Sequence, residues 1–400
     1  MAAPVVAVVG GGQLARMMAP AATALGVHLR VLVEDATSSA AQVIPDTPVG
    51  AALDEAAIRA LIAGPGAAIG RGADGAADVL TFEHEQVPNA LLEQLAVEGH
   101  QVRPSAAALV YAQDKIAMRR RLAELGVPGP RWAEVADVVA LEAFLAAVGG
   151  TAVVKTARGG YDGKGVRVVH SAEDVADWFE AAAADGGSGV ALFAEEKVPF
   201  TRELAVLVAR RPSGQVRAWP VVESVQVNGV CAEVIAPAPG LAAAVARTAT
   251  TIAVAIAKGL GVTGVLAVEL FEVAGAAGAA STVLVNELAM RPHNSGHWTI
   301  EGSVTSQFEQ HLRAVLDLPL GETTARARWA VMANVLGSGR DDLTAGLAAV
   351  TAHDAGAKVQ LYGKSVRPGR KLGHVTVLGD DLAEVRARAG AAAAVLSGPA

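Results

Sequence analysis

The chain has 400 residues, 52% of them hydrophobic and 18% charged, with a formal net charge of −7 at neutral pH. That length and balance describe a folded protein of two or three domains with ample core rather than a disordered chain, and the acidic balance argues against a nucleic-acid partner. A single cysteine, Cys231, excludes an internal disulfide and a cysteine-built zinc centre; with no basic segment and long apolar run at the start, and a later apolar stretch (251–262) too short and interrupted to cross a bilayer, the expectation is a cytoplasmic protein with no membrane partner.

In chain order, VVAVV (5–9) reads as a buried strand, followed by GGGQ and a helical run to Gly26. Strands at 28–35 and 78–88 alternate with helices, the pattern of a parallel α/β layer ending near residue 112. One helix is expected over 113–126, stopped by Gly126 and Pro128, then a helix over 138–148, a strand over 151–157, the glycine loop RGGYDGKG (158–165), a returning strand, a helix over 173–184 and a strand over 189–198. Alternating antiparallel strands fill 201–211 and 215–237, a long helix 240–259, and a hairpin of GVLAVELFEV (264–273) and TVLVNELAM (282–290). After Gly321 the chain breaks into short strands and turns. The expected units are therefore 1–112, 113–321 with a lid at about 128–198, and a small C-terminal domain at 322–400, an α/β (α+β) chain overall.

The hairpin carries the chemistry. With its loop symmetric about residue 278, Glu269 lies directly opposite Glu287 on one face. Like charges directly opposite destabilise a sheet, and a hard divalent cation bound between them removes the penalty. Gly10, Gly12 and Ala15, with Glu34 and Asp35 after the second strand, approach a dinucleotide fingerprint, or serve only as a tight turn. The glycine loop can lay backbone N–H groups on phosphates, and Lys155 on the preceding strand favours that reading over a bare surface hairpin. Glu195–Glu203 reads as a strand end where backbone groups can be left open, with Glu203 able to accept ribose hydroxyls. Arg291, His293, Asn294, Ser295 and His297 follow the second acidic strand as an active-site-like polar run, and Lys364, Arg367, Arg370 and Lys371 form a basic cluster suited to phosphate or carboxylate.

Together the segments GGGQLARMM, FEHEQVP, QDKIAMRRRLAELGVP, VVKTARGGYDGKG, NELAMRPHNSGHWT and YGKSVRPGRKLGH resemble the ATP-grasp superfamily, and within it the N5-carboxyaminoimidazole ribonucleotide synthetase family, in family order over nearly the whole chain. The resemblance implies an N-terminal Rossmann-like domain, a lid, an antiparallel ATP-binding domain and a small C-terminal domain, in a homodimer. It implies carboxylation of aminoimidazole ribonucleotide by ATP and bicarbonate through carboxyphosphate, in purine biosynthesis. It places ATP on Lys115, Lys155, Gly160, Tyr161, Asp162, Gly163, Lys164, Gly165, Val166, Glu195, Glu196, Lys197, Val198, Glu203, Gln226, Asn286 and Glu287, and Mg²⁺, or Mn²⁺ in its stead, on Glu269 and Glu287. The ribonucleotide falls to Gly12, Gln13, Glu83, Tyr161, Asn294, Ser295, Arg370 and Lys371, and the chemistry to Asp162, Arg291, His293 and Lys364. Gln226 replaces a common histidine, Met290 a common proline, and the hairpin loop is longer than usual. The rival readings are formate-dependent glycinamide ribonucleotide transformylase, which shares metal carboxylates and lid, an NAD(P)-linked oxidoreductase resting on Gly10–Ala15, and an ATP-binding regulator without turnover.

Overall fold

The structure, a computed structural model, describes residues 3–64, 75–160, 165–184, 191–276 and 279–398. Three strands, β1 (Val5–Val9), β2 (His28–Leu32) and β3 (Val79–Phe82), form a parallel sheet in the order β2-β1-β3. All five β1 residues are fully buried, as expected of a strand covered on both faces.

A second sheet is antiparallel, in the order β4-β7-β5-β6, from β4 (Trp132–Glu134), β5 (Ala152–Thr156), β6 (Val166–Val169) and β7 (Leu192–Glu196). The helix expected over 113–126 is present as Lys115–Glu124, and a separate helix not read from the sequence, Ala106–Gln113, precedes it. Asp114 divides them: its backbone is extended and its carboxylate accepts from Ala117 N at 2.9 Å, an N-cap that starts the second helix afresh. Lys115 N then donates to Ala157 O at 2.9 Å, joining that helix to the end of β5.

The third sheet is built from β8 (Phe200–Arg210), β9 (Val216–Ala218), β10 (Val222–Val227), β11 (Val230–Ala236), β12 (Gly264–Val273), β13 (Thr282–Ala289), β14 (Trp329–Leu336), β15 (Lys358–Leu361) and β16 (Lys371–Gly379). Its order is β13-β12-β8-β10-β11-β14-β16-β15, with β9 beside β8. The helix Ala243–Gly259 lies on one face through Val245, Ala249, Ala253 and Ile256, one buried stripe at helical spacing. Alanines at two of these positions let its axis sit close to the strands.

The boundary expected at residue 322 therefore does not separate two sheets. β14 pairs with β11 and carries β16 and β15 outward, so the C-terminal strands extend the central sheet. Alternation along β14 explains how the segment still has a core of its own. Val331, Ala333 and Val335 join the cluster that includes Val385, Ala389 and Leu396 of the helix Leu382–Ser397, whereas Ala330 and Met332 join the central cluster around Trp219 and Trp298.

His311, on the helix Gln307–Val315, joins the parallel layer to the large sheet. Its Nδ1 accepts from Val265 N at 3.1 Å, so the proton resides on Nε2, 2.9 Å from Thr81 Oγ1 of β3. Burial holds its pKa down at about 3. The neutral ring therefore stabilises the fold fully above the unfolded histidine pKa of about 6.5, and that stability is lost as pH falls below it. His311→Gln is expected to lower the proton uptake on unfolding near pH 5 by about one, read from the pH dependence of the unfolding free energy. Unchanged uptake would mean the ring is not held neutral.

Candidate active site

The two antiparallel sheets meet at a cleft edged by β5, β7, β12 and β13. Lys155 on β5 places Nζ 2.7 Å from Glu195 Oε2 on β7 and 3.4 Å from Asn286 Oδ1 on β13, spanning both sheets. Glu195 also accepts from Arg119 Nε at 2.5 Å, and Arg119 donates to Val285 O and Asn286 O, both at 2.7 Å. Burial pushes the Glu195 carboxyl up, and Lys155 and Arg119 together overturn that, holding it below the ordinary range. Buried charges are tolerated when they are paired and bonded in this way, and removing one partner of such a set costs about 3–5 kcal/mol. The side chain of Glu195 is thus committed inward to structural cations. Glu196 accepts from Arg131 N at 2.9 Å, Lys197 is exposed and Val198 is buried.

Glu269 and Glu287 do not meet in the simple register expected of a symmetric loop. Ala267 pairs with Ala289 and Val268 with Leu288, but Leu270 pairs with Val285, so Asn286 and Glu287 together oppose Glu269. This bulge alters the usual alternation of side chains: Asn286 meets Lys155, while Glu287 Oε1 lies 3.1 Å from Lys115 Nζ. Glu203 is diagonal to Glu269 on the same face, since Glu269 pairs with Ala205. Burial pushes the Glu269 carboxyl up to about 8, with Glu287 and Glu203 adding to the rise. Burial likewise raises Glu203, with Lys155 opposing.

These acids fit a hard cation. Among the described residues no three His, Cys, Asp or Glu side chains form a ready-made metal cage.

The other end of the cleft joins the first and last parts of the chain. Lys364 hydrogen-bonds through Nζ to Gln13 Oε1, Ser39 Oγ donates to Tyr362 O at 2.5 Å, and Gln42 Nε2 donates to Gly363 O at 2.7 Å. Arg370 is turned onto its own loop, donating to Ser365 Oγ at 2.6 Å, and Lys371 is partly buried within electrostatic reach of Glu269. Arg291 Nε donates to Glu85 Oε2 at 2.9 Å, and Glu85 Oε1 accepts from Met290 N at 2.6 Å. His293 Nδ1 accepts from Ser295 N at 3.3 Å and meets Ser295 Oγ at 2.9 Å, which puts the ring proton on Nε2, 3.4 Å from Glu269 Oε1. Burial, assisted by Arg291 and Lys371, holds His293 near a pKa of about 3. It is therefore a neutral hydrogen-bond donor rather than the cation a polar run suggests. Asn294 and Ser295 are buried beside it. Gln226, at a bulge in β10, donates to Ser224 Oγ at 2.9 Å.

The glycine turn after β1 behaves differently from a dinucleotide fingerprint. Glu83 accepts from Gly12 N at 2.6 Å, Ala15 N at 3.1 Å and Leu14 N at 3.2 Å. The helix N-terminus that would receive a pyrophosphate already holds a carboxylate. A Cβ on Gly12 would sit 2.1 Å from Glu83 Oε1, so the glycine serves this internal anion. Asp35 caps Thr37 N at 2.7 Å. The oxidoreductase reading therefore loses its anion site, and Gly12 and Glu83, both expected at the ribonucleotide, are hydrogen-bonded to each other.

Gly160, Gly165 and Val166 flank the loop; Gly165 O accepts from Thr156 N at 3.0 Å, and Val166 is exposed. Tyr161, Asp162, Gly163 and Lys164 lie outside the described residues. Sequence reasoning missed Arg119 and Glu85. Arg119 sits inside the run RRR, where nothing marks which arginine turns inward, and Glu85 stands two residues after a glutamate already chosen.

Residues 3–113 match the ribonucleotide synthetase preATP-grasp domain, 120–308 the ATP-grasp domain, and 330–388 the phosphoribosylaminoimidazole carboxylase C-terminal domain. The chain is 52% identical over 398 residues to N5-carboxyaminoimidazole ribonucleotide synthase of Mycobacterium tuberculosis, covering 99% of this chain and 88% of the relative. It is 50% identical over 381 residues to the synthase of Corynebacterium ammoniagenes, covering 94% and 88%. Among solved structures, an ADP complex of N5-carboxyaminoimidazole ribonucleotide synthetase superposes with a TM-score of 0.84 at 33% identity, over 98% of this chain and 97% of that one. The Aspergillus clavatus synthase in complex with ADP and 5-aminoimidazole ribonucleotide gives 0.83 at 29% identity, over 99% of each. Full-length likeness and a cleft pairing acids with phosphate-type cations lead to one conclusion: the chain belongs to the N5-carboxyaminoimidazole ribonucleotide synthase family of ATP-grasp ligases.

Proposed function

We propose that this protein carboxylates 5-aminoimidazole ribonucleotide to N5-carboxyaminoimidazole ribonucleotide at the expense of ATP, with bicarbonate as the carbon source. The observation that carries the site assignment is the rise that Glu287 and Glu203 add to the Glu269 carboxyl, in a cleft that also holds Lys115, Lys155 and Arg119. In this reading a bicarbonate oxygen attacks the γ-phosphorus, the bond to ADP breaks, and carboxyphosphate forms. The exocyclic amine then bonds to the carboxyl carbon, directly or after CO₂ release, as phosphate leaves and the nitrogen gives up a proton.

No protein nucleophile is required, so the chain contributes positioning and charge. Lys155 and Lys115 hold phosphoryl oxygens, with the buried Arg119–Glu195 pair fixing Lys155 in the cleft. Glu269 and Glu287 would hold Mg²⁺, which when bound neutralises phosphate charge. Arg291, aimed by Glu85, and the Nε2–H of His293 hold the carboxyl oxygens. Lys364 at Gln13 faces the ribonucleotide end. A homodimer and a cytoplasmic location belong to the same proposal and rest on the family resemblance; among the described residues no helix is long and apolar enough to cross a membrane.

ADP release with aminoimidazole ribonucleotide, with and without bicarbonate, tests the activity; turnover with formate and glycinamide ribonucleotide instead would overturn it. Glu287→Gln should lower bicarbonate-dependent ADP release by about 10²-fold or more with the circular dichroism spectrum unchanged, and survival of that release would remove the acid from the metal site. Lys364→Ala should raise KM for the ribonucleotide by about tenfold or more, the worth of one charge-assisted hydrogen bond, while KM for ATP holds; parallel changes would move Lys364 out of the substrate end.

A carboxyl raised to about 8 in the fold costs stability progressively as pH climbs from its unfolded value toward 8, and costs nothing at low pH where both states are protonated. Glu269→Gln in the nucleotide-free protein should therefore melt about 2–4 °C above wild type near pH 8.5 and level with it near pH 5. A constant difference across that range would show that repulsion is absent.

A further inference from the structure

Gln307 is fully buried at the first turn of the helix Gln307–Val315, and its amide is spent almost wholly on one active-site residue. Oε1 accepts from His293 N at 2.8 Å, and Nε2 donates to His293 O at 2.8 Å. One side chain thus holds both backbone groups of the same residue, as a neighbouring strand would, which requires the extended backbone His293 has (φ −127, ψ 157). The remaining amide proton goes to His297 Nδ1 at 3.0 Å.

The clamp is itself held from three sides. Gln307 N donates to Thr299 Oγ1 at 2.9 Å. A Cβ on Gly296 would lie 2.4 Å from Gln307 Oε1, so the glycine is what admits the amide. His297 is stacked on His374 of β16, ring centroids 5.0 Å apart, and His374 Nδ1 meets Tyr362 Oη at 2.7 Å. Strand β16 is thereby linked to the backbone that presents His293.

We infer that Gln307 is a positioning residue for carboxylation: its two-point hold on His293 aims the Nε2–H at the reacting carboxyl group. It touches no substrate and acts through His293. The inference rests on the reading of His293 given under the proposed function. It separates the two halves of the reaction, because the ATP-side residues Lys155, Glu195, Arg119 and Glu287 have no bond to Gln307 among those described.

The test uses the full-length enzyme and steady-state assays of ADP and of carboxylated product. Gln307→Met keeps the size and removes all three bonds of the amide. It is expected to raise KM for bicarbonate by about tenfold, the worth of one to two net hydrogen bonds, to leave KM for ATP within about twofold, and to release ADP in excess of product. A second pair covers failure of that variant to fold: in His297→Asn the Oδ1 atom can replace Nδ1 as acceptor and should stay near wild type, whereas His297→Leu should reproduce the bicarbonate defect. Parallel changes in both KM values, an unshifted bicarbonate KM in Gln307→Met, or equal defects in the two His297 variants would overturn the positioning role. A wild-type enzyme whose ADP release ignores bicarbonate would instead overturn the carboxylase reading on which this one stands.

Discussion

Glu203 and Glu287, on the strands flanking and pairing with that of Glu269, raise the proton affinity of Glu269 where burial already disfavours its charge. Much of the cleft is arranged around that cost. Lys115 reaches Glu287 from the start of a helix, Lys155 reaches across from the smaller sheet, and Lys371 and Arg291 oppose the rise at Glu269 from the C-terminal strands and the polar run. A bound cation with phosphate oxygens would satisfy the acids and take over the lysines in one event.

Such a site demands that its cations be held in place. Lys155 is steadied by Glu195, which is buried and balanced by Arg119, and Arg119 in turn is anchored on the carbonyls of Val285 and Asn286 beside the bulge. On the substrate side Glu85 does the same for Arg291 through a bond to the adjacent backbone N–H. Lys155 and Arg291 are thus each fixed by a carboxylate that is itself bonded to a second group, which preorganises both cations.

The continuity of the large sheet gives the chain a single frame for these parts. Because β14 pairs with β11, the turn between β15 and β16 returns to the glycine turn after β1, and Lys364 meets Gln13. Beside that junction the first helix holds Glu83 at its N-terminus. The acid offsets the helix dipole internally and leaves the neighbouring Gln13 to face Lys364 from the other chain end.

By itself the sequence determined much of the strand and helix order up to residue 290, the acidic hairpin and the family, because periodicity, glycine turns and ordered motifs are local properties of the chain; the helix Leu382–Ser397, in a segment expected to hold only short strands and turns, was not read. The register symmetric about residue 278 held only beyond the bulge, since a bulge depends on what neighbouring strands present. The helix expected from residue 113 begins at Lys115, because the Asp114 side chain caps it and the residues before it form a helix of their own. The fingerprint at Gly10–Ala15 was legible as a turn that binds an anion, but only the fold showed that the anion is Glu83, which lies 71 residues away from Gly12. Arg119, Glu85 and Gln307 carry no signal in the sequence because their roles lie in contacts, to backbone groups and to single side chains, that only the folded chain brings together. Only the tertiary structure decided that His293 is neutral, since its proton affinity is set by burial and by Arg291 and Lys371, which no pattern of spacing records.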